Sequence, residues 1–221
     1  MAIEVYWGSG SPYAWRALLA LEVKRLHYVS KLIQFSTKEH KTPEFLKLNP
    51  RGKVPVLNDN GFVVYESLAI VKYLDDKYPD PPLFGRTPEE SARIMMYISE
   101  CNSYLEPAGL GVVRPVFFNE LDSKRDAVLE AANTAREELR LLDERLRNRR
   151  WLTGETVTAA DIMIYPVVAL LERALGKPNV EELELKLAPI KQYFPAIAAW
   201  IKNVEALPGY EKTYPPHWRT S

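Results

Sequence analysis

Apolar spacing divides the chain into a first stretch of short mixed elements and a longer second stretch that is helical throughout. Ile3-Glu4-Val5-Tyr6-Trp7 alternates as a half-buried strand does. Gly8-Ser9-Gly10 breaks it, and Ser11-Pro12 reads as a helix N-cap with proline at the first helical position. Leu18 and Leu21 continue that helix towards Lys24 and Arg25, cations that suit its C-terminal end. Val29 to Phe35 predicts a second strand. Two more, Val54–Leu57 and Phe62–Tyr65, flank the hairpin signal Asn58-Asp59-Asn60-Gly61. Leu68, Ile70, Val71 and Leu74 then form a helical stripe. The expected domain is a small α/β unit over residues 1–78.

Three prolines in the four residues from Pro79 to Pro82 cannot continue a helix, so residues 79–87 read as a linker. The rest, 88–221, predicts an all-helical bundle. Ile94, Tyr97-Ile98, Cys101 and Tyr104-Leu105 recur at three- and four-residue steps. Val128, Ala132, Ala135, Leu139, Leu142 and Leu146 mark one face of a long helix. Ile197, Trp200-Ile201 and Val204 repeat the pattern. Thr158-Ala159-Ala160-Asp161 opens an apolar run from Ile162 to Leu171 and reads as a capping box with aspartate in place of glutamate. Its residues are expected to hold the fold and to do no chemistry. Pro166, inside that helix, predicts a kink.

Composition then removes whole classes of function. With 221 residues the chain is long enough for a sizeable core or two small ones. Lys plus Arg and Asp plus Glu number 29 each, which leaves no net basic surface for a nucleic-acid backbone. One cysteine, Cys101, excludes an internal disulfide and a Cys-rich metal site, and the three histidines lie far apart, so no metal is expected. The first residues have neither the basic nor the apolar region of a secretory signal. The longest apolar run is about half of what a membrane span needs. A cytoplasmic location is the expectation.

Four pieces of the first domain carry candidate chemistry. Ser9-Gly10-Ser11-Pro12-Tyr13-Ala14-Trp15-Arg16 joins the first strand to the first helix, and Ser11 there is a helix cap on ordinary grounds. No G-x-S-x-G elbow and no placed histidine points to a serine hydrolase. Asn49-Pro50-Arg51-Gly52-Lys53-Val54-Pro55 sets two prolines around a glycine turn, with Pro55 at a strand start that suits an edge. An X-Pro bond is trans by default; a cis bond would turn the Val54 backbone towards a ligand. Glu66-Ser67 opens the third helix. Free N–H groups and a hydroxyl at a helix N-terminus suit a carboxylate, and the adjacent glutamate suits an ammonium, so the pair fits an α-amino acid group as well as a plain cap. His40-Lys41 is a basic loop.

Together, in this order and spacing, these pieces resemble the glutathione S-transferase superfamily over essentially the whole chain. The likeness is nearest to its serine-type theta, tau and phi classes, with zeta close behind. Ser11 to Arg16 matches S-P-[FY]-x-x-R, Asn49 to Pro55 matches N-P-x-G-x-V-P, Glu66-Ser67 matches E-S, and Thr158 to Asp161 matches T-x-A-D. The resemblance implies a thioredoxin-like β-α-β-α-β-β-α domain, a helical second domain, a homodimer, and glutathione as co-substrate in detoxification. It also implies roles. Ser11 would donate to the glutathione sulfur, and the Val54 backbone, beside a cis Pro55, would pair with the cysteinyl residue. Glu66 and Ser67 would hold the γ-glutamyl amine and carboxylate. His40 and Lys53, with Lys41 behind them, would meet the glycine carboxylate. Redox-type members carry cysteine at the position of Ser11, and zeta isomerases usually read S-S-C-S-W-R, of which Ser11 and Trp15-Arg16 remain. Tyr6, near the end of the first strand, is a rival for the role of Ser11. A small electrophile would lie against Tyr13, Tyr104, Arg114, Phe117, Phe118 and Trp218, residues whose ordinary reading is packing. An isomerase and a non-catalytic scaffold of the same fold are the alternatives.

Overall fold

The computed structural model describes residues 3–181, 183, 185 and 187–219. They form two compact units, Met1–Phe84 with Ala206–Ser221, and Gly85–Glu205. The helical domain expected over 88–221 therefore lacks its last stretch, which packs with the first unit instead.

In the first unit, strands β1 (Ile3–Trp7), β2 (Tyr28–Leu32), β3 (Val56–Asp59) and β4 (Phe62–Tyr65) make one sheet in the order β2-β1-β3-β4. β1 and β2 are parallel, and β3 and β4 run antiparallel to their neighbours. Helices α1 (Pro12–Val23), α2 (Pro43–Leu48) and α3 (Ser67–Lys77) complete the thioredoxin-like order. Alternation in β1 decides the faces. Ile3, Val5 and Trp7 are buried, while Tyr6 turns to the opposite face, where α2 brings Phe45 against Ile33 and Val56. β3 extends to Asp59, so the hairpin turn is the pair Asn60-Gly61, both with positive φ, as a two-residue turn of this kind requires.

The chain beyond α3 is tied back to the first unit by a buried ion pair. Lys24 Nζ, with no exposed surface, lies 2.8 Å from Asp75 and donates to the carbonyls of Tyr78 and Pro81. Asp75 accepts the N–H groups of Leu83 and Phe84 in turn. The segment Ala206–Ser221 is held by aromatic packing. Trp15 donates through Nε1 to Thr213 (2.8 Å) and meets the rings of Tyr214 and Trp218 edge to face.

The second unit contains α4 (Pro88–Glu100), α5 (Glu106–Phe117), α6 (Arg125–Leu146), α7 (Ala159–Leu175), α8 (Pro178–Glu181), α9 (Ile190–Tyr193) and α10 (Pro195–Glu205). A further helix, α11 (Tyr210–Thr213), belongs to the first unit. Between α4 and α5 lies a π turn, Cys101–Leu105. Every position of the predicted α6 stripe is buried. α7 runs continuously through Pro166, and its start is the capping box expected from Thr158 and Asp161. The Asp161 carboxylate, fully buried, accepts the N–H of Thr158 (2.9 Å) and Leu152 (3.0 Å), the Thr158 hydroxyl and Trp200 Nε1 (2.9 Å). Burial pushes its pKa up against those four donors. Among the described residues no helix is long and apolar enough to cross a membrane.

Candidate active site

Four chain segments leave the sheet of the first unit at one end. β1 and β2 finish at Trp7 and Leu32, which are register partners. β3 starts at Val56, opposite Tyr6, and β4 finishes at Tyr65, opposite Val56. Beyond those four ends lie Gly8–Ser11, Phe35–Lys41, Lys53-Val54-Pro55 and Glu66-Ser67. Every residue expected to meet glutathione is in one of these segments. Open α/β sheets take ligands at the carboxyl ends of their parallel strands, and here that end gathers the polar groups.

Ser11 leaves β1 through a tight turn. Its N–H donates to the Gly8 carbonyl (3.1 Å), and Gly10 has φ +81, the conformation that the third position of a type II turn assigns to glycine. Ser11 is the N-cap of α1, and its Oγ accepts the Ala14 N–H at 3.2 Å. That bond uses the oxygen and leaves the hydroxyl hydrogen to donate. Tyr6 differs. Its hydroxyl donates to Glu4 (3.1 Å), and burial together with that carboxylate raises its pKa. A phenol already committed to a carboxylate is a poor partner for a second anion.

At the start of α3 the expected cap is displaced by one residue. Glu66 occupies the cap position with φ 69 and ψ 116, and Ser67 is the first helical residue, with no side chain capping the helix. A glutamate at that φ and ψ is strained, because its Cβ crowds the backbone. The strained geometry leaves the first-turn N–H groups of α3 and the buried Ser67 uncapped by any side chain at a partially positive helix end.

The Val54-Pro55 bond is cis. In the neighbouring loop Asn49 accepts the Arg51 N–H and donates to the Lys53 carbonyl (2.7 Å), which fixes the turn ahead of Val54. Lys41 Nζ is committed to the carbonyls of Gly52 (3.0 Å) and Arg51 (3.3 Å). Lys53 is exposed. His40 is half-buried, and its Nδ1 is buried without a hydrogen bond. Ring packing holds it instead, through Phe35 edge to face at 5.2 Å. Phe35 is the residue that sequence reasoning missed. Its ring lies so close over Gly8 that a Cβ there would fall 2.2 Å from Cζ, which joins the Ser11 turn to His40. A lone phenylalanine at a strand end carries no signal of this in the sequence.

The residues expected around an electrophile divide between the units. Tyr13, half-buried with the Arg16 guanidinium 5.1 Å from its ring, and Trp218, buried against Trp15, belong to the first. Tyr104, Arg114, Phe117 and Phe118 belong to the second and are exposed. Arg114 borders a groove of about 490 Å³ with Leu110, Gly111 and Lys124. Among the described residues no group of three or more His, Cys, Asp or Glu side chains is placed to hold a metal.

Comparison with known proteins adds four likenesses. Family models for the N-terminal and C-terminal domains of glutathione S-transferases match residues 10–77 and 105–208. Glutathione S-transferase 1 of Dianthus caryophyllus is 31% identical over 182 residues, 81% of each chain. The crystal structure of a glutathione S-transferase from the Antarctic clam Laternula elliptica superposes with a TM-score of 0.86 at 34% identity, covering 100% of this chain and 95% of that one. Elongation factor 1-gamma of Sus scrofa is 32% identical over 179 residues, 77% of this chain and 40% of that one. With the strand-end constellation already in place, these likenesses make this chain an enzyme of the glutathione S-transferase superfamily.

Proposed function

We propose that this transferase binds glutathione across the strand ends of its first unit and uses the Ser11 hydroxyl to hold the sulfur as thiolate. The observation that carries this reading is the place of the Ser11 hydroxyl: its oxygen accepts the Ala14 N–H at the N-terminus of α1, which leaves its hydrogen able to donate. An unperturbed thiol with pKa about 8.5 is only about 3% ionised at pH 7. Lowering that value by about two units makes it mostly thiolate and corresponds to about 2.7 kcal/mol. One hydroxyl donor and a helix N-terminus suit that magnitude. The thiolate then attacks an electrophilic carbon, by addition or by displacement of a leaving group. Serine stabilises the nucleophile and is not one.

The remaining residues hold the tripeptide. Ser67 and the uncapped N–H groups of α3 suit the γ-glutamyl carboxylate, Glu66 the ammonium, Val54 the cysteinyl backbone, and Lys53 and His40 the glycine carboxylate. Lys41 acts behind them by fixing the Gly52 turn. The electrophile is a small apolar molecule, and the working form is a homodimer. The non-catalytic scaffold of the same fold, named as an alternative from the sequence, is the reading against which this one is tested. One comparison tests both. Ser11→Ala should raise the pKa of the bound thiol and lower turnover near neutral pH with little change in glutathione affinity. Wild-type protein that binds glutathione without lowering its thiol pKa or turning over any electrophile would select the scaffold.

A further inference from the structure

The turn that presents Ser11 is braced from the far end of the chain. Ser9 and Gly10 are its two central residues, and His217 touches both. Ser9 Oγ lies 2.6 Å from His217 Nδ1. A Cβ on Gly10 would fall 2.7 Å from His217 Cε1 and 3.3 Å from Trp218 Nε1, so the glycine face of the turn rests directly on these two rings. His217 is not a loose end. It sits in a 3₁₀ turn, Pro216–Trp218, closed by the Trp218 N–H on the Pro215 carbonyl (3.0 Å). That turn is pinned to α1 through Trp218 against Trp15 and through the Trp15 bond to Thr213. All of these residues belong to the first unit.

We propose that His217 is a positioning residue for the thiolate site, fixing through Ser9 and Gly10 the turn from which the Ser11 hydroxyl donates. The inference rests on Ser11 as the sulfur's donor. A hydrogen bond weakens steeply as its angle departs from linear, so a donor held by its own helix alone is worth less than one whose approach is fixed on both sides. On the helix side Ser11 is fixed by α1. On the strand side only two residues separate it from β1's last glycine neighbour, and both lean on His217.

The test measures thiolate absorbance of enzyme-bound glutathione against pH, with glutathione affinity by calorimetry, in six forms of the full chain: wild type, Ser11→Ala, Ser9→Ala, His217→Ala, the Ser9→Ala/His217→Ala pair and His217→Asn. His217→Ala should raise the bound thiol pKa by about half a unit, Ser9→Ala should raise it by no more than that, and the pair should raise it no further than His217→Ala alone. The rate with an electrophile at a pH below that pKa should fall about threefold. Glutathione affinity and the thermal midpoint should barely move. His217→Asn, which keeps a polar atom near the position of Nδ1, should restore the wild-type value. A shift in Ser11→Ala with none in Ser9→Ala or His217→Ala overturns this inference and leaves the role of Ser11 standing. No shift in Ser11→Ala overturns both, since the turn would then be holding nothing that acts on sulfur. Additive shifts from Ser9 and His217 would also overturn it, because Ser9 would then act on the turn without His217.

Discussion

Two helix starts in this molecule treat their polar residues in opposite ways. At the start of α7, in the second unit, Asp161 is fully buried and its carboxylate accepts four hydrogen bonds. At the start of α3, in the first unit, Glu66 is exposed, its backbone is strained, and no side chain caps the helix. Ser11 at the start of α1 falls between them, with one cap bond made and one hydrogen left over. The difference separates structure from chemistry. A polar group that holds a fold has its bonding capacity filled by protein, because leaving it unfilled in the interior is costly. A group that meets a ligand keeps some of that capacity open. The same contrast recurs within the first unit. At the end of the sheet away from the site, Asp59 accepts from Lys77, Tyr73 and Asn60.

The largest effect expected from this contrast is structural. Asp161→Ala strands the N–H groups of Leu152 and Thr158 and the Trp200 indole, all inside the second unit. A loss of roughly 4 kcal/mol in unfolding free energy should follow. Guanidinium unfolding checks it, and a loss below about 1 kcal/mol would mean that the carboxylate is not what holds the α7 start together. Ser67→Ala should show the reverse pattern. Stability should change by less than about 0.5 kcal/mol, while glutathione affinity falls by about 1–3 kcal/mol through loss of a donor to a charged carboxylate. Calorimetry that found wild-type affinity would move the γ-glutamyl end of the ligand elsewhere.

Asp59 sharpens the contrast by pH. Burial raises its pKa, but the Lys77 ammonium and the hydroxyl of Tyr73 outweigh burial and hold it below the ordinary aspartate value. A depressed folded-state pKa contributes stability above the unfolded value, and that contribution is lost as pH falls through the folded value. Acid titration of stability should therefore lose part of its slope below about pH 4 in Asp59→Asn. Lys77 is solvent-exposed, so the difference should be small. Identical acid limbs in both proteins would show that the ion pair adds nothing.

What the sequence made legible follows from how local each signal is. The α6 stripe, the Ser11-Pro12 cap and the Thr158–Asp161 box are complete within a few residues, and all three stand, as does the hairpin signal Asn58–Gly61, although β3 runs on to Asp59 and narrows its turn to Asn60-Gly61. The placement of Ala206–Ser221 with the first unit was not legible. Tyr210, Tyr214 and Trp218 have a helical spacing that would suit any apolar partner, and Trp15 is 198 positions from Thr213. The π turn Cys101–Leu105 is similarly silent, because one extra residue in a turn leaves three- and four-residue steps intact. Within the site, motif residues were legible as a set. Phe35 was not, since its role depends on Gly8 lying beneath it across the sheet end. The one-residue error at Glu66-Ser67 has a physical cause too. Serine is a preferred cap and glutamate is not, so propensity places the cap on Ser67, whereas the chain sets it at Glu66 in a conformation propensity disfavours.

That conformation supplies the smallest and most discriminating prediction. At φ 69 and ψ 116 a side chain with a Cβ is held outside the left-handed helical well, at a cost on the order of 1–3 kcal/mol. Glycine removes the clash but enlarges the unfolded ensemble, at a cost of about 0.5–1 kcal/mol. Glu66→Gly should thus stabilise the first unit by about 1 kcal/mol. The same substitution removes the carboxylate proposed to hold the γ-glutamyl ammonium, so glutathione should bind more weakly. Glu66→Gln separates the two effects: it keeps the strained backbone and lowers affinity without raising stability. Opposite signs for stability and binding in Glu66→Gly are the signature of a residue retained for its ligand. If Glu66→Gly destabilised the protein instead, the backbone at this position would not be strained, and the opening of α3 would owe nothing to a cost borne for binding.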